Sequence, residues 1–362
     1  MAYNTIKCDR SEERETLEIL NTILTVLAGL LMLTVLVVIH EGGHFAVGRA
    51  CGIRINEFAV GFGPKLFSRK KGEIAYSVRA LPLGGFVQFY GEEEEVDAAY
   101  EPRAFNNRPI WQRALTIAAG PAMNILFALL LTVGVLVGYG DYVPEIVAVE
   151  AGSPAAAAGL QEGDRIVRIN GKRIDFSMEF DTASIANQQE VTLGVERADG
   201  EHSFVIQTAP DAETGKSRIG IQYTASARRR FDFFEAIGLS FKWLWLIVRE
   251  MFAALGGAIF GGRGLSDLSG PVGTIAIVGE SVRYGFETIL RMAALLSINL
   301  GIMNILPFPA LDGGRLLFLG IEKLRGKPAS RKVEGYVNFA GLAMLFLLMI
   351  VLTYQDIVRL FA

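Results

Sequence analysis

The sequence predicts an α-helical membrane protein with four transmembrane helices, a membrane-associated β-hairpin region and an inserted α+β domain. Four stretches without Asp, Glu, Lys or Arg set the helix count: residues 19–40, 114–140, 292–311 and 335–355. Each is long enough to cross a hydrocarbon core of ~30 Å, which takes ~20 helical residues. Between residues 141 and 223 the pattern changes to short apolar runs separated by turn residues, as strands require. The chain of 362 residues is 51% hydrophobic and 20% charged, a balance that suits a membrane protein carrying a water-facing module.

Residues 1–18 form a charged N-terminal segment. The apolar run behind it does not end in a small-residue cleavage site, so no removable signal peptide is expected. Residues 19–44 make the first span. In the stretch 45–113, Gly61-Phe62-Gly63-Pro64 and Leu81-Pro82-Leu83-Gly84-Gly85 punctuate strand-like segments such as 73–80. Apolar strands next to a span predict β-hairpins dipping into the bilayer, where protein or a wet cavity must satisfy their backbone. The acidic run 92–95 reads as a solvated loop.

Residues 114–140 are the second span, and 141–225 a small α+β barrel. Its strands are expected at 146–149, 166–169, 191–195, 204–206 and 219–221, with Asn170-Gly171 as a tight turn. Ser153-Pro154 opens a short Ala-rich helix that Gly159 ends, and 177–187 reads as a second helix. Residues 226–290 read as interfacial amphipathic helices. There, 236–260 is apolar but interrupted by Lys242, Arg249 and Glu250 and carries Trp243 and Trp245. That mixture suits a helix lying along the outer interface; a fifth span is the alternative. Residues 291–314 form the third span, 315–334 a loop, 335–356 the fourth span and 357–362 a tail.

Charge placement gives the orientation. Arg49, Arg54, Lys65, Arg69, Lys70 and Lys71 follow the first span, and Arg315, Lys323, Arg325, Lys327, Arg331 and Lys332 lie between the third and fourth. Both loops are therefore expected in the cytoplasm, with 141–290 and both termini outside. A net charge of −3 without a basic face argues against a nucleic-acid partner. Cys8 and Cys51 flank the first span, so neither a disulfide framework nor a cysteine metal site is expected.

The chemistry gathers at His40-Glu41-Gly42-Gly43-His44, where the first apolar run ends. The chain has 3 histidines, and two stand here four residues apart. On a helix both imidazoles share one face, one turn apart, with Glu41 beside them. Such a pair suits zinc, and the carboxylate can act as general base. The plain alternative is two surface histidines and a glutamate reaching for the interface, but ionisable groups at bilayer depth are costly and usually functional.

A hydrolytic zinc needs three protein ligands and an open position, so this pair is one ligand short. The third apolar run ends in Asn304-Ile305-Leu306-Pro307-Phe308-Pro309-Ala310-Leu311-Asp312-Gly313-Gly314. Two prolines break the helix and two glycines let the chain turn at Asp312. A carboxylate results on the same side of the membrane as the histidines; its alternative role is a helix cap. Asn299 and Asn304, amides within a membrane helix, need partners, either a substrate carbonyl or another helix.

HExxH ending one span and NxxPxPxLDG ending another together resemble the signature of the site-2 protease family of intramembrane metalloproteases. Gly120-Pro121-Ala122-Met123-Asn124, Leu268-Ser269-Gly270-Pro271-Val272-Gly273 and Gly61-Phe62-Gly63-Pro64 are similar to its bacterial branch. Gly152-Ser153-Pro154, then Gly159-Leu160, Gly163-Asp164-Arg165-Ile166 and Ile169-Asn170-Gly171, resemble a bacterial PDZ domain. PDZ domains add an extended peptide to a sheet edge; a purely steric plug is the other reading.

The resemblance implies one Zn²⁺ held by His40, His44 and Asp312, with Glu41 as catalytic base and Asn304 and Asn299 holding substrate backbone. It implies hydrolysis of peptide bonds within transmembrane segments of single-span membrane proteins, such as anti-sigma factors or remnant signal peptides. The setting it implies is the bacterial cell membrane, with the active site near the cytoplasmic side and a substrate peptide or chain end at the outer PDZ domain. Iron or cobalt would fit similar ligands. A metal transporter would also use His and Asp at bilayer depth, but would leave Glu41 and the PDZ-like segment without a role. An inactive scaffold would not need base and ligands together.

Overall fold

The computed structural model describes residues 2–92, 97, 101–180, 189–210, 217–260 and 270–361. In chain order the first elements are α1 (Ala2–Ala50), β1 (Ile55–Lys71), β2 (Ile74–Phe89), α2 (Ile110–Gly138), β3 (Asp141–Val149), α3 (Pro154–Ala158), β4 (Arg165–Ile169) and β5 (Lys172–Arg173). There follow β6 (Glu190–Arg197), β7 (Gly200–Gln207), β8 (Ala209–Pro210), β9 (Ser217–Arg218) and β10 (Ile221–Arg229). The chain closes with α4 (Phe233–Phe260), α5 (Pro271–Arg283), α6 (Phe286–Ile305), α7 (Asp312–Arg325) and α8 (Arg331–Phe361). They divide into two compact units, residues 132–243 and the remainder.

Among the described residues, four helical segments are long and apolar enough to cross a membrane: Leu20–Ala50, Ile110–Gly138, Phe286–Ile305 and Lys332–Arg359. The expected count of four thus stands, but boundaries move. The first helix already begins at Ala2, so residues 2–18 continue it rather than forming a separate segment. The third stops at Ile305, because Pro307 and Pro309 cannot donate to a preceding turn. Asp312 consequently opens a new helix, α7, instead of ending the third span.

That new helix corrects the expected loop at 315–334: it is helical to Arg325 and closes on Gly326 in the left-handed region (φ 70°). Leu316 and Leu319, one turn apart, pack into a cluster with Ile53, Ile55, Ile74, Phe89, Phe105 and Ile117. Burial of that apolar stripe is what holds α7 in place. Arg113 at the start of α2 pins its far end through a buried, two-pronged ion pair with Glu322 (2.5 and 3.1 Å).

The β region forms a bent two-stranded hairpin with a doubled register. Phe58 of β1 faces Val87 on one side and Tyr76 on the other, and Ala59 likewise faces both Phe86 and Ser77. The outer edge of the 85–89 segment runs beside α1. At the bend, Thr34 of α1 donates to the Pro82 carbonyl (2.8 Å), alongside the first span and upstream of His40.

The smaller unit is an antiparallel sheet in the order β10-β3-β4-β6-β7, with β5 paired to β4. Its core includes Ile146, Ile166, Ile174, Val191, Leu193 and Ile206. Ser153 caps α3, its hydroxyl accepting from the Ala156 amide (3.2 Å), and Gly159 ends the helix at φ 90°. Asn170 (φ 48°) and Gly171 (φ 77°) make the turn joining β4 and β5, as positive φ at both positions of a two-residue hairpin demands. β10 runs on to Arg229, past the expected limit at 225. Of the helix expected at 177–187, a 3-10 turn covers Ser177–Glu179; residues 181–187, like 93–95 and 268–269, lie outside the described residues.

Candidate metal centre and active site

Three donors converge where α1 meets the start of α7. His40 Nε2 and His44 Nε2 lie 3.1 Å apart, and Asp312 Oδ2 lies 3.1 Å from the first and 3.3 Å from the second. Four residues of helix set the two imidazoles one above the other, and the bend through Leu306–Leu311 returns the chain so that Asp312 meets them. Both histidines are 8% exposed.

The triangle fits a zinc ion. A tetrahedral site with bonds of about 2.0–2.1 Å has ligand–ligand edges of about 3.3 Å. The chemistry of the donors makes the same point. His44 Nδ1 sits 2.9 Å from the Thr116 carbonyl, which can only accept, so Nδ1 carries a proton and in the neutral ring Nε2 presents a lone pair. A carboxylate oxygen and a bare imidazole nitrogen repel one another unless a cation lies between them. Asp312 Oδ2 is accordingly buried without a hydrogen-bond partner.

Glycines permit the close approach. A Cβ on Gly120 of α2 would lie 2.3 Å from His44 Nε2 and 2.9 Å from His40 Cε1. On Gly43 it would meet the Ala119 carbonyl at 2.3 Å, whereas Gly42 faces open space. A Cβ on Gly313 would lie 2.1 Å from the Leu306 carbonyl oxygen and one on Gly314 2.4 Å from that of Phe308, so the tight bend at Asp312 depends on both. Glu41 lies on the same turn of α1, facing the hairpin edge: a Cβ on Gly85 would be 3.5 Å from its Cγ.

Of the residues singled out in the sequence, His40, His44 and Asp312 come together and Glu41 lies between the histidines in sequence. Asn304 donates to the Leu300 carbonyl within its own helix (2.9 Å), and Asn299 is half-buried on the same helix. Among the described residues, no hydrogen bond joins either asparagine to the three donors. Sequence reasoning passed over Thr116, whose part is played by its backbone, and gave Asn124 no role of its own.

The model of peptidase family M50 matches residues 28–348. The chain belongs to peptidase family M50. The regulator of sigma-W protease RasP of Bacillus subtilis is 33% identical, over 93% of this chain and 99% of that protein. The zinc metalloprotease RasP of Geobacillus kaustophilus is also 33% identical, over 94% and 99%. The PDZ domain of an SdrC-like protein from Listeria monocytogenes is 26% identical over 23% of this chain and 88% of that one, with a TM-score of 0.21; a score that low assigns no fold. Membership of M50 makes the chain a metalloprotease, and the His-His-Asp donor set suits zinc as its cofactor.

Proposed function

We propose that this M50 metalloprotease cleaves peptide bonds within the transmembrane segments of single-span membrane proteins. One observation carries the reading: the His40, His44 and Asp312 donors, with Glu41 beside them, stand at the end of a segment, Leu20–Ala50, long and apolar enough to span a membrane. Bound zinc would supply Lewis acidity toward a peptide carbonyl and toward water. Glu41 takes the proton of the attacking water and hands it to the leaving amine. Asn304 and Asn299 hold the substrate backbone.

A helical substrate hides its carbonyls in its own hydrogen bonds, so cleavage requires local unwinding. In a dry setting each unpaired backbone group costs several kcal/mol. The outer edge of the 85–89 segment, whose Val87 amide donates to Glu41, would offer partners to the unwound strand. Lys and Arg placement supports an active site near the cytoplasmic face and the 141–229 domain outside the cytoplasm of a bacterial cell. One relative is named as a regulator of sigma-W protease; anti-sigma factors and remnant signal peptides are the substrate classes we propose here.

The test is cleavage of a single-span model substrate by purified protein in detergent. Cleavage should be lost on adding a chelator and, by at least ~100-fold, in Glu41→Gln. Adding a mid-span Gly or Pro to the substrate should raise the rate. Metal-loaded wild type that cleaves no member of a substrate panel would overturn the reading, and a rate indifferent to helix breakers would remove the unwinding step.

A further inference from the structure

One face of α2 lies behind both imidazoles. Thr116, Gly120 and Asn124 follow one another at intervals of four residues on it: the first accepts from His44, and the second leaves room for both rings. The third, Asn124, is fully buried, with its side-chain amide 3.3 Å from His40 Nδ1 and its Oδ1 without a partner. If the NH₂ group faced the ring, Nδ1 would have to accept, and the His40 proton would sit on Nε2, aimed at His44 and Asp312. A half-turn about the Cβ–Cγ bond exchanges oxygen and nitrogen. Oδ1 then accepts Nδ1–H, and His40 Nε2 presents a lone pair as His44 Nε2 does.

We infer that Asn124 is a positioning residue: its side-chain oxygen fixes the tautomer and ring orientation of His40 for zinc, the part the Thr116 carbonyl plays for His44. This rests on the zinc-holding role of His40, His44 and Asp312. Its backbone is steadied independently, since the Ser297 hydroxyl of α6 donates to the Asn124 carbonyl (2.8 Å). A side-chain substitution therefore leaves that contact between α2 and α6 in place. Partners of this kind, one shell behind a metal ligand, typically change metal affinity 10–100-fold when removed.

The experiment uses the full-length protein in detergent, stripped of metal and titrated with zinc against a chromophoric chelator. Asn124→Leu should weaken zinc binding about 10–100-fold with the melting temperature of the metal-free form unchanged. Asn124→Asp, which keeps an acceptor, should restore affinity to within a few-fold. Undiminished zinc binding by Asn124→Leu, or equal loss in both variants, overturns the inference. A wild-type measurement stands apart from any folding defect: the ¹⁵N spectrum of zinc-loaded protein should show His40 protonated at Nδ1 and bound through Nε2, and the reverse would refute the assignment. Failure of wild type to bind zinc would count against the proposed function instead.

Discussion

Gly120 shows how much of the candidate metal centre depends on a missing methyl group. The pair of histidines is readable from spacing alone, because i and i+4 share a helix face. The helix that presses against them is not, since nothing in a glycine reveals what it faces. In the structure an alanine at 120 would drive its Cβ to within 2.3–2.9 Å of both rings. Overpacking of this kind costs about 1–3 kcal/mol, and relief requires the imidazoles and α2 to move apart. Gly120→Ala should therefore lose stoichiometric zinc, measured by metal analysis after gel filtration, along with proteolysis. Gly42→Ala, in the same motif but facing open space, should keep both. Equal zinc content in the two variants would show that α2 does not shape the site. Asp312 was legible as a carboxylate at the end of a broken helix; that it opens a new helix was not, because its place depends on a bend held by Gly313 and Gly314.

The hairpin that brings an edge beside Glu41 is held in its bend by one buried carboxylate. Glu57 of β1 accepts from Ser77 (2.5 Å) and Arg79 (2.9 Å) of β2 and from Lys65 (2.9 Å) farther along β1. Arg79 also donates to the Gly63 carbonyl (3.0 Å) and lies over the Phe86 ring. Burial alone would raise the Glu57 pKa, but the Ser77, Lys65 and Arg79 hydrogen bonds outweigh it and hold it at about 2. A depressed carboxylate stabilises the fold at pH values above its unfolded pKa, and that contribution is lost as pH falls through the folded value. From 4.5 to about 2, at ~1.36 kcal/mol per unit, it amounts to roughly 3 kcal/mol at neutral pH. Glu57→Gln should thus lower the melting temperature at pH 7, with the gap to wild type closing between pH 4.5 and 2. A gap independent of pH would mean that packing, not charge, holds the bend. Sequence alternation revealed strands here, but the doubled register depends on partners far along the chain. Helix α7 is illegible in the sequence for a related reason: its four-turn apolar stripe is short, and burial comes from the cluster around Leu319.

The domain at 141–229 enters and leaves through neighbouring strands. Asp141, the first residue of β3, pairs with Arg229, the last of β10, so its two ends lie about 5 Å apart, as cross-strand partners do. Its core, from Ile146 to Ile219, is its own. Such an insertion can be excised and the gap closed by a few residues without stretching the chain. The Ser-Pro helix start and the Asn-Gly turn made this much legible, because both signals are local. What the domain does for the protease is a separate question, with opposed outcomes. If it screens substrates by bulk, replacing 141–229 with a short Gly-Ser link should leave Glu41-dependent cleavage of a trimmed single-span substrate within a few-fold of wild type. The same variant should newly cleave a substrate that still carries a folded outer domain. If instead it delivers substrates by capturing a peptide or chain end, cleavage of the trimmed substrate should fall and the bulky one should stay intact. Zinc content of the shortened protein separates either outcome from collapse, since His40, His44, Asp312 and Asn124 all lie in the other unit. Full zinc with loss of cleavage on every substrate would rule out the filter.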